Sequence, residues 1–162
     1  MSKLLQLRQA IGSMLLLFGA IVMVGWWTRT EAVVQMIPGA VAMAWNTALC
    51  FMLAGIALIV QGEHGKAGVI AQRGAGAAML VIAAAAALQN ILGVDFGIDQ
   101  LVVKAWIHDT NPHPGRLAPM TSLGFMLAGV FFFCSNGTRA AASAILHSRC
   151  SRSPCSCWAW SV

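Results

Sequence analysis

Charge is what this chain has least of. Only 9% of its 162 residues are Asp, Glu, Lys or Arg, where a soluble domain carries about 25%. So little charge cannot cover a water-soluble globule, which excludes an ordinary soluble domain. The net charge of +5 comes from basic residues scattered along the chain. That pattern suits orientation in a membrane and leaves no clustered patch for nucleic acid. Tyrosine is absent, and the six Trp fall mostly near predicted helix ends, where amphipathic rings favour the membrane interface. No phosphate loop, nucleophile elbow or carboxylate pair occurs, so no catalytic residue and no enzymatic activity are expected.

Metal and haem signatures are also missing. His64, His108, His113 and His147 all fall in predicted loops or tails, which excludes a haem held between facing membrane helices. His108, Asp109 and His113 lack a specific metal-binding spacing and read as ordinary loop residues. Cys150, Cys155 and Cys157 are only loosely zinc-like and have no second matched pair, while Cys50 and Cys134 read as packing residues. No metal or cofactor is expected. The nine Met are spread through the apolar blocks as packing or lipid-facing residues. No ionisable residue falls at mid-membrane depth, which argues against proton-coupled transport.

What the chain has is apolar blocks close to membrane-spanning length, about 17–25 residues. Mean hydropathy is +0.76. The blocks predict an all-α membrane protein with four transmembrane helices at about 11–27, 43–60, 75–92 and 119–134. The first block ends in Trp26-Trp27-Thr28-Arg29 with no small-residue cleavage site, so it reads as a retained helix. Residues 1–10 form a polar N-terminus. Residues 135–162 form a Ser-, Arg- and Cys-rich tail that reads as poorly ordered, with a truncated or frameshifted reading after about Arg139 as one origin.

One phrase occurs twice. Thr47, Leu49 and Phe51-Met52-Leu53-Ala54-Gly55 match Thr121, Leu123 and Phe125-Met126-Leu127-Ala128-Gly129 at a single offset, and Pro38-Gly39 and Pro114-Gly115 precede the two copies. This reads as an internal duplication. Cys50 and Ala54 correspond to Gly124 and Ala128, each pair a small-xxx-small step that lets helices approach in lipid. The predicted helix-packing residues are therefore Cys50, Ala54, Gly55, Gly124, Ala128 and Gly129.

Lys and Arg orient the chain. With the N-terminus in the cytoplasm, Lys3, Arg8, Lys66, Arg73, Arg139, Arg149 and Arg152 lie inside, against Arg29, Lys104 and Arg116 outside. Both termini are then cytoplasmic. The second and fourth helices both run from outside to inside, so two hairpins are related as parallel repeats. In the long outer loop, Gln100, Lys104 and His108 recur every four residues opposite Ile98, Leu101, Val102, Ala105 and Trp106. That period predicts a short interfacial amphipathic helix at 97–108.

Polar groups converge in this reading only at the outer membrane face. Thr47 and Thr121 lie at the outer ends of their helices, and the long loop brings Lys104, His108, His113 and Arg116 to the same level. These six are the candidate ligand-binding residues. With Asp95, Asp99 and Asp109 opposing Lys104 and Arg116, a small polar or zwitterionic ligand, or a lipid headgroup, is favoured over a strongly charged anion. The alternative is that they cap helices and solvate a loop.

The phrases Asn46–Phe51, Phe96–Leu101 and His113-Pro114-Gly115-Arg116-Leu117-Ala118-Pro119 resemble the multi-helix N-terminal membrane modules of bacterial sensor histidine kinases and diguanylate cyclases. The resemblance spans roughly Trp26 to Gly129. It implies a sensory input role in the bacterial inner membrane, upstream of a signalling output domain, and brings no defined ligand residues. The alternative is a small accessory or structural subunit of a larger membrane complex. The expected partners are thus the lipid bilayer and either an output domain or such a complex.

Overall fold

The computed structural model describes residues 3–35, 41–61, 65–97, 106 and 116–152, with side chains as far as 135. Every regular element among them is helical: α1 (Lys3–Thr28), α2 (Glu31–Val34), α3 (Trp45–Val60), α4 (Lys66–Leu92) and α5 (Pro119–Arg152). Two of these, α1 and α4, are long and apolar enough to cross a membrane; α3 and the Pro119–Ser135 part of α5 are apolar but shorter. The predicted interfacial helix at 97–108 lies outside the described residues except for Gly97 and Trp106.

Three boundaries differ from the sequence reading. Helix α1 begins at Lys3 rather than near residue 11. Helix α4 begins at Lys66 rather than near residue 75. Its added turns carry Gln72, which is buried and donates from Nε2 to Ser135 Oγ (2.6 Å) and Phe132 O (3.4 Å). A polar stretch that hydropathy assigns to a loop is thus held in the helix by a partner on α5. The third difference is the tail. The backbone stays helical through Arg152, because Ala140, Ala141, Ala142 and Ala144 favour helix and no proline interrupts before Pro154.

Helices α1 and α3 form one antiparallel hairpin and α4 and α5 a second, with α3 packed against α4. One core cluster joins α3, α4 and α5 through Cys50, Ala54, Ala57, Met79, Ala83 and Phe125. Small side chains at this interface let the backbones close together, the usual route to affinity between apolar helices. A second cluster, of Val22, Trp26, Val34, Trp45 and Ala48, ties α1 to α2 and α3.

The two hairpins are built on matching contacts. A Cβ placed on Gly55 would lie 2.6 Å from Gly12 O and 2.7 Å from Leu16 N. A Cβ on Gly129 would lie 2.9 Å from Gly76 O and 3.0 Å from Leu80 N. In both hairpins a glycine on the second helix sits on the backbone of a glycine, and of the leucine four residues later, on the first. At the other end, Trp26 Nε1 donates to Met43 O at 2.8 Å, and Asn90 Nδ2 donates to Leu117 O at 3.0 Å. Met43 and Leu117 stand at the same offset as Thr47 and Thr121, so each first helix clamps the segment leading into the second at an equivalent position.

Gly124 departs from its predicted packing role. A Cβ there would meet nothing within 4 Å, and the residue is exposed. The small-xxx-small step of α5 therefore does not face a helix along its full length. Cys50 and Ala54, its counterparts on α3, are buried, because α3 is flanked by both α1 and α4 while α5 packs mainly on α4 alone.

Candidate functional site

The sequence directly before α5 is Arg116-Leu117-Ala118-Pro119. Pro119 opens the helix, where its missing N–H costs nothing. Leu117 is 1% exposed, and its carbonyl accepts the bond from Asn90 on the last turn of α4. The segment is thereby fixed against the end of α4, and Arg116 is carried inward with it. The Arg116 side chain is 6% exposed; its Nη2 lies 3.8 Å from Asp95 Oδ1 and donates to Val94 O at 3.3 Å.

Asp95 is itself positioned. Gly93 ends α4 in the left-handed conformation (φ +65°), which a residue without Cβ adopts freely. That turn brings Asp95 Oδ1 within 2.8 Å of Gly97 N and 3.4 Å of Gln89 Nε2. Asp95 remains 65% exposed, so its carboxylate stays in contact with solvent.

Thr47 sits on the first turn of α3 and Thr121 on the first turn of α5. Both line one cavity of about 430 Å³, together with Asn90, Arg116 and the backbone stretch 41–44. Among the described residues, Arg116 is the one ionisable side chain in that lining. A second cavity of about 400 Å³ runs between the hairpins, lined by Leu15, Phe51, Leu58, Gly124, Ala128 and Phe132 among others, and Thr121 belongs to both. Phe51 and Phe125 close its wall edge-to-face, their centroids 5.2 Å apart. The site is therefore a cavity of mixed polar and apolar lining that shares Thr121 with an apolar groove.

The structure brings together three of the six predicted ligand residues: Thr47, Thr121 and Arg116. Lys104, His108 and His113 lie outside the described residues. Of the predicted packing residues, Cys50 and Ala54 are buried, Gly55 and Gly129 carry the backbone contacts of their hairpins, Ala128 is half-buried against the main core, and Gly124 lines the groove. The sequence reading missed Asn90. The signal for it was a Gln89-Asn90 pair at the end of an otherwise apolar block, where a polar side chain in a low-dielectric setting needs a fixed partner.

Trp106 packs edge-to-face on Trp26, with centroids 6.2 Å apart, and lies against the α1–α3 cluster. Among the described residues, no group of three or more His, Cys, Asp or Glu could hold a metal ion. Comparison with family models, with curated proteins and with solved structures found no match for this chain.

Proposed function

We propose that the chain is the membrane-embedded sensory input module of a bacterial signalling protein, and that the chamber at the starts of α3 and α5 is its sensing site. The observation that carries this reading is the convergence of Thr47, Arg116 and Thr121, from separate parts of the chain, on one cavity between two hairpins. In the proposed topology four helices cross the inner membrane, both termini are cytoplasmic, and the chamber opens on the outer face.

Apolar exposure supports the membrane setting. Leu4, Leu7, Ile11, Met14, Ile21 and Val24 form an exposed apolar stripe along α1, the kind of surface that marks a membrane or protein contact. Helix α3, with 16 residues, rises about 24 Å. That is short for a hydrocarbon core of about 30 Å, and local thinning of the bilayer accommodates such a difference. The matched glycine contacts and matched clamps favour an origin of the two hairpins by duplication.

The proposed mechanism follows from what each wall of the chamber belongs to. Thr47 moves with the first hairpin; Asn90, Arg116 and Thr121 move with the second. A ligand touching both favours one relative position of the hairpins by its differential affinity. Helix α5 starts at the chamber and runs 34 residues without a break, about 51 Å. A shift at its first turn is therefore delivered at its far end as a rigid displacement.

The test is to fuse the chain through Arg152 to a cytoplasmic cyclase reporter and to replace Thr47 by Val, Thr121 by Val and Arg116 by Gln singly. At least one substitution should shift output with membrane insertion unchanged. Constant output in all three, with normal insertion, would contradict the sensory reading and favour an accessory subunit of a larger complex.

A further inference from the structure

We propose that the end of the bundle that carries the N-terminus binds an anionic phospholipid. Arg8 takes the phosphodiester, and one acyl chain runs into the apolar groove between the hairpins. Such a site requires the helices to lie in a bilayer; it does not require the sensing function proposed above.

The first observation comes from setting the two hairpins side by side. Arg8 stands one turn before Gly12 on α1, as Gln72 stands one turn before Gly76 on α4. Gln61 follows Gly55 by six residues, as Ser135 follows Gly129. The four glycines make matching contacts, so Arg8 and Gln61 occupy the places of Gln72 and Ser135. In the second hairpin that pair is closed internally, by the bond from Gln72 Nε2 to Ser135 Oγ. In the first hairpin a charge takes the place of the amide. Arg8 Nε is buried and has no hydrogen-bond partner, and among the described residues Arg8 enters no ion pair. A guanidinium enclosed in this way is costly unless a counter-charge meets it.

The second is charge. The starts of α1 and α4, the end of α3 and the second half of α5 share this end of the bundle, because each hairpin is antiparallel. The sequence segments there, 1–10, 61–74 and 135–152, hold seven Lys and Arg and one acid, Glu63. The end keeps a net positive charge whatever Glu63 contacts. Basic surfaces between membrane helices suit anionic headgroups, and Arg grips a phosphate with two parallel N–H donors.

The third is reach. Gly12 sits on Leu58: a Cβ there would lie 3.1 Å from Leu58 Cβ. Leu58 lines the apolar groove together with Leu15 and Phe132. One helical turn rises about 5.4 Å, so a phosphate at Arg8 stands close to the groove, and its acyl chain enters past Leu58 and Phe132. Among the described residues the groove lining is apolar apart from Thr121, so an aliphatic chain loses little on leaving bulk lipid. Gly124, where a Cβ would touch nothing, leaves room for it.

The experiment is native mass spectrometry of the full chain, released from detergent that holds equal amounts of phosphatidylglycerol and phosphatidylcholine with identical acyl chains. Phosphatidylglycerol should stay bound about tenfold more than phosphatidylcholine, a difference of about 1.4 kcal/mol, and excess inorganic phosphate should not displace it. Arg8→Gln, which gives the first hairpin the residue of the second, should abolish that preference, and Arg8→Lys should keep part of it. Arg73→Gln, which removes an exposed charge at the same end, should change it much less. Gly124→Phe should lower the occupancy of both lipids with helix content retained. An unchanged preference in Arg8→Gln would overturn the inference, as would an equal loss in Arg73→Gln, which would show a response to surface charge in general. Displacement by inorganic phosphate would overturn the lipid as the source of the phosphate, and unchanged occupancy in folded Gly124→Phe would overturn the place of the acyl chain.

Discussion

Gly76 and Gly129 meet backbone to backbone: a Cβ on Gly129 would lie 2.9 Å from the Gly76 carbonyl oxygen, and a Cβ on Gly76 would lie 3.0 Å from the Gly129 carbonyl oxygen. This mutual contact sets how closely α4 and α5 approach, and Gly12 and Gly55 do the same for α1 and α3. Gly129→Leu and Gly55→Leu should each destabilise the bundle by about 1–3 kcal/mol, the cost of forcing a side chain into a packed interface. Gly124→Leu should leave stability nearly unchanged. Thermal unfolding in a mild detergent, followed by circular dichroism, compares the three, and equal losses would contradict the assignment of interface and groove.

The clamps at the other end are separable from this. Trp26→Phe removes the donor to Met43 O, and Asn90→Leu removes the donor to Leu117 O. Each should cost about 0.5–1.5 kcal/mol, the net value of one intramolecular hydrogen bond. Asn90→Leu should also shift the output of the cyclase fusion, since Leu117 and Arg116 share one short segment. Trp26→Phe should not. Chemical unfolding and the reporter output together check the difference.

Gln72 predicts a third effect, at the opposite end of α4. Its bond to Ser135 Oγ (2.6 Å) joins the start of α4 to α5 beyond the last buried ring, Phe132. Gln72→Leu should cost about 0.6–2 kcal/mol, the range measured for polar contacts between membrane helices, and Ser135→Ala should cost no more. Hydrogen exchange at residues 66–74 should rise in Gln72→Leu; unchanged protection there would show that the bond does not hold the added turns of α4.

Asp95→Asn should change stability by no more than about 1 kcal/mol, because the carboxylate is exposed and such pairs contribute little. Thermal unfolding in a mild detergent checks this, and a loss well above that range would show that Asp95 holds Arg116 more firmly than an exposed pair does.

The sequence showed the helices through hydropathy, because an apolar block needs no knowledge of its neighbours. The pairing of Thr47 with Thr121 was legible from the repeated phrase. The starts of α1 and α4 were not, since Arg8 and Gln72 count as polar in any window, and Ser135, the partner that holds Gln72, lies on another helix. Gly124 was misread for a related reason: a small residue marks either a close contact or a vacancy, and only the position of the neighbouring helices decides which. The Gln89-Asn90 pair at the end of an apolar block marked Asn90 as a polar group in need of a partner, but the partner itself, the Leu117 carbonyl, leaves no mark in the sequence.

Hairpin movement at the chamber is the central claim, and a reversible staple tests it most directly. With Thr47 and Thr121 replaced by Cys in a chain whose own cysteines are Ala, a reducible bis-thiol cross-linker joins the two hairpins at the site. In the cyclase fusion, stapling should shift the output to one fixed level, and reduction should restore the unstapled level. Complete cross-linking that leaves the output unchanged would contradict the account.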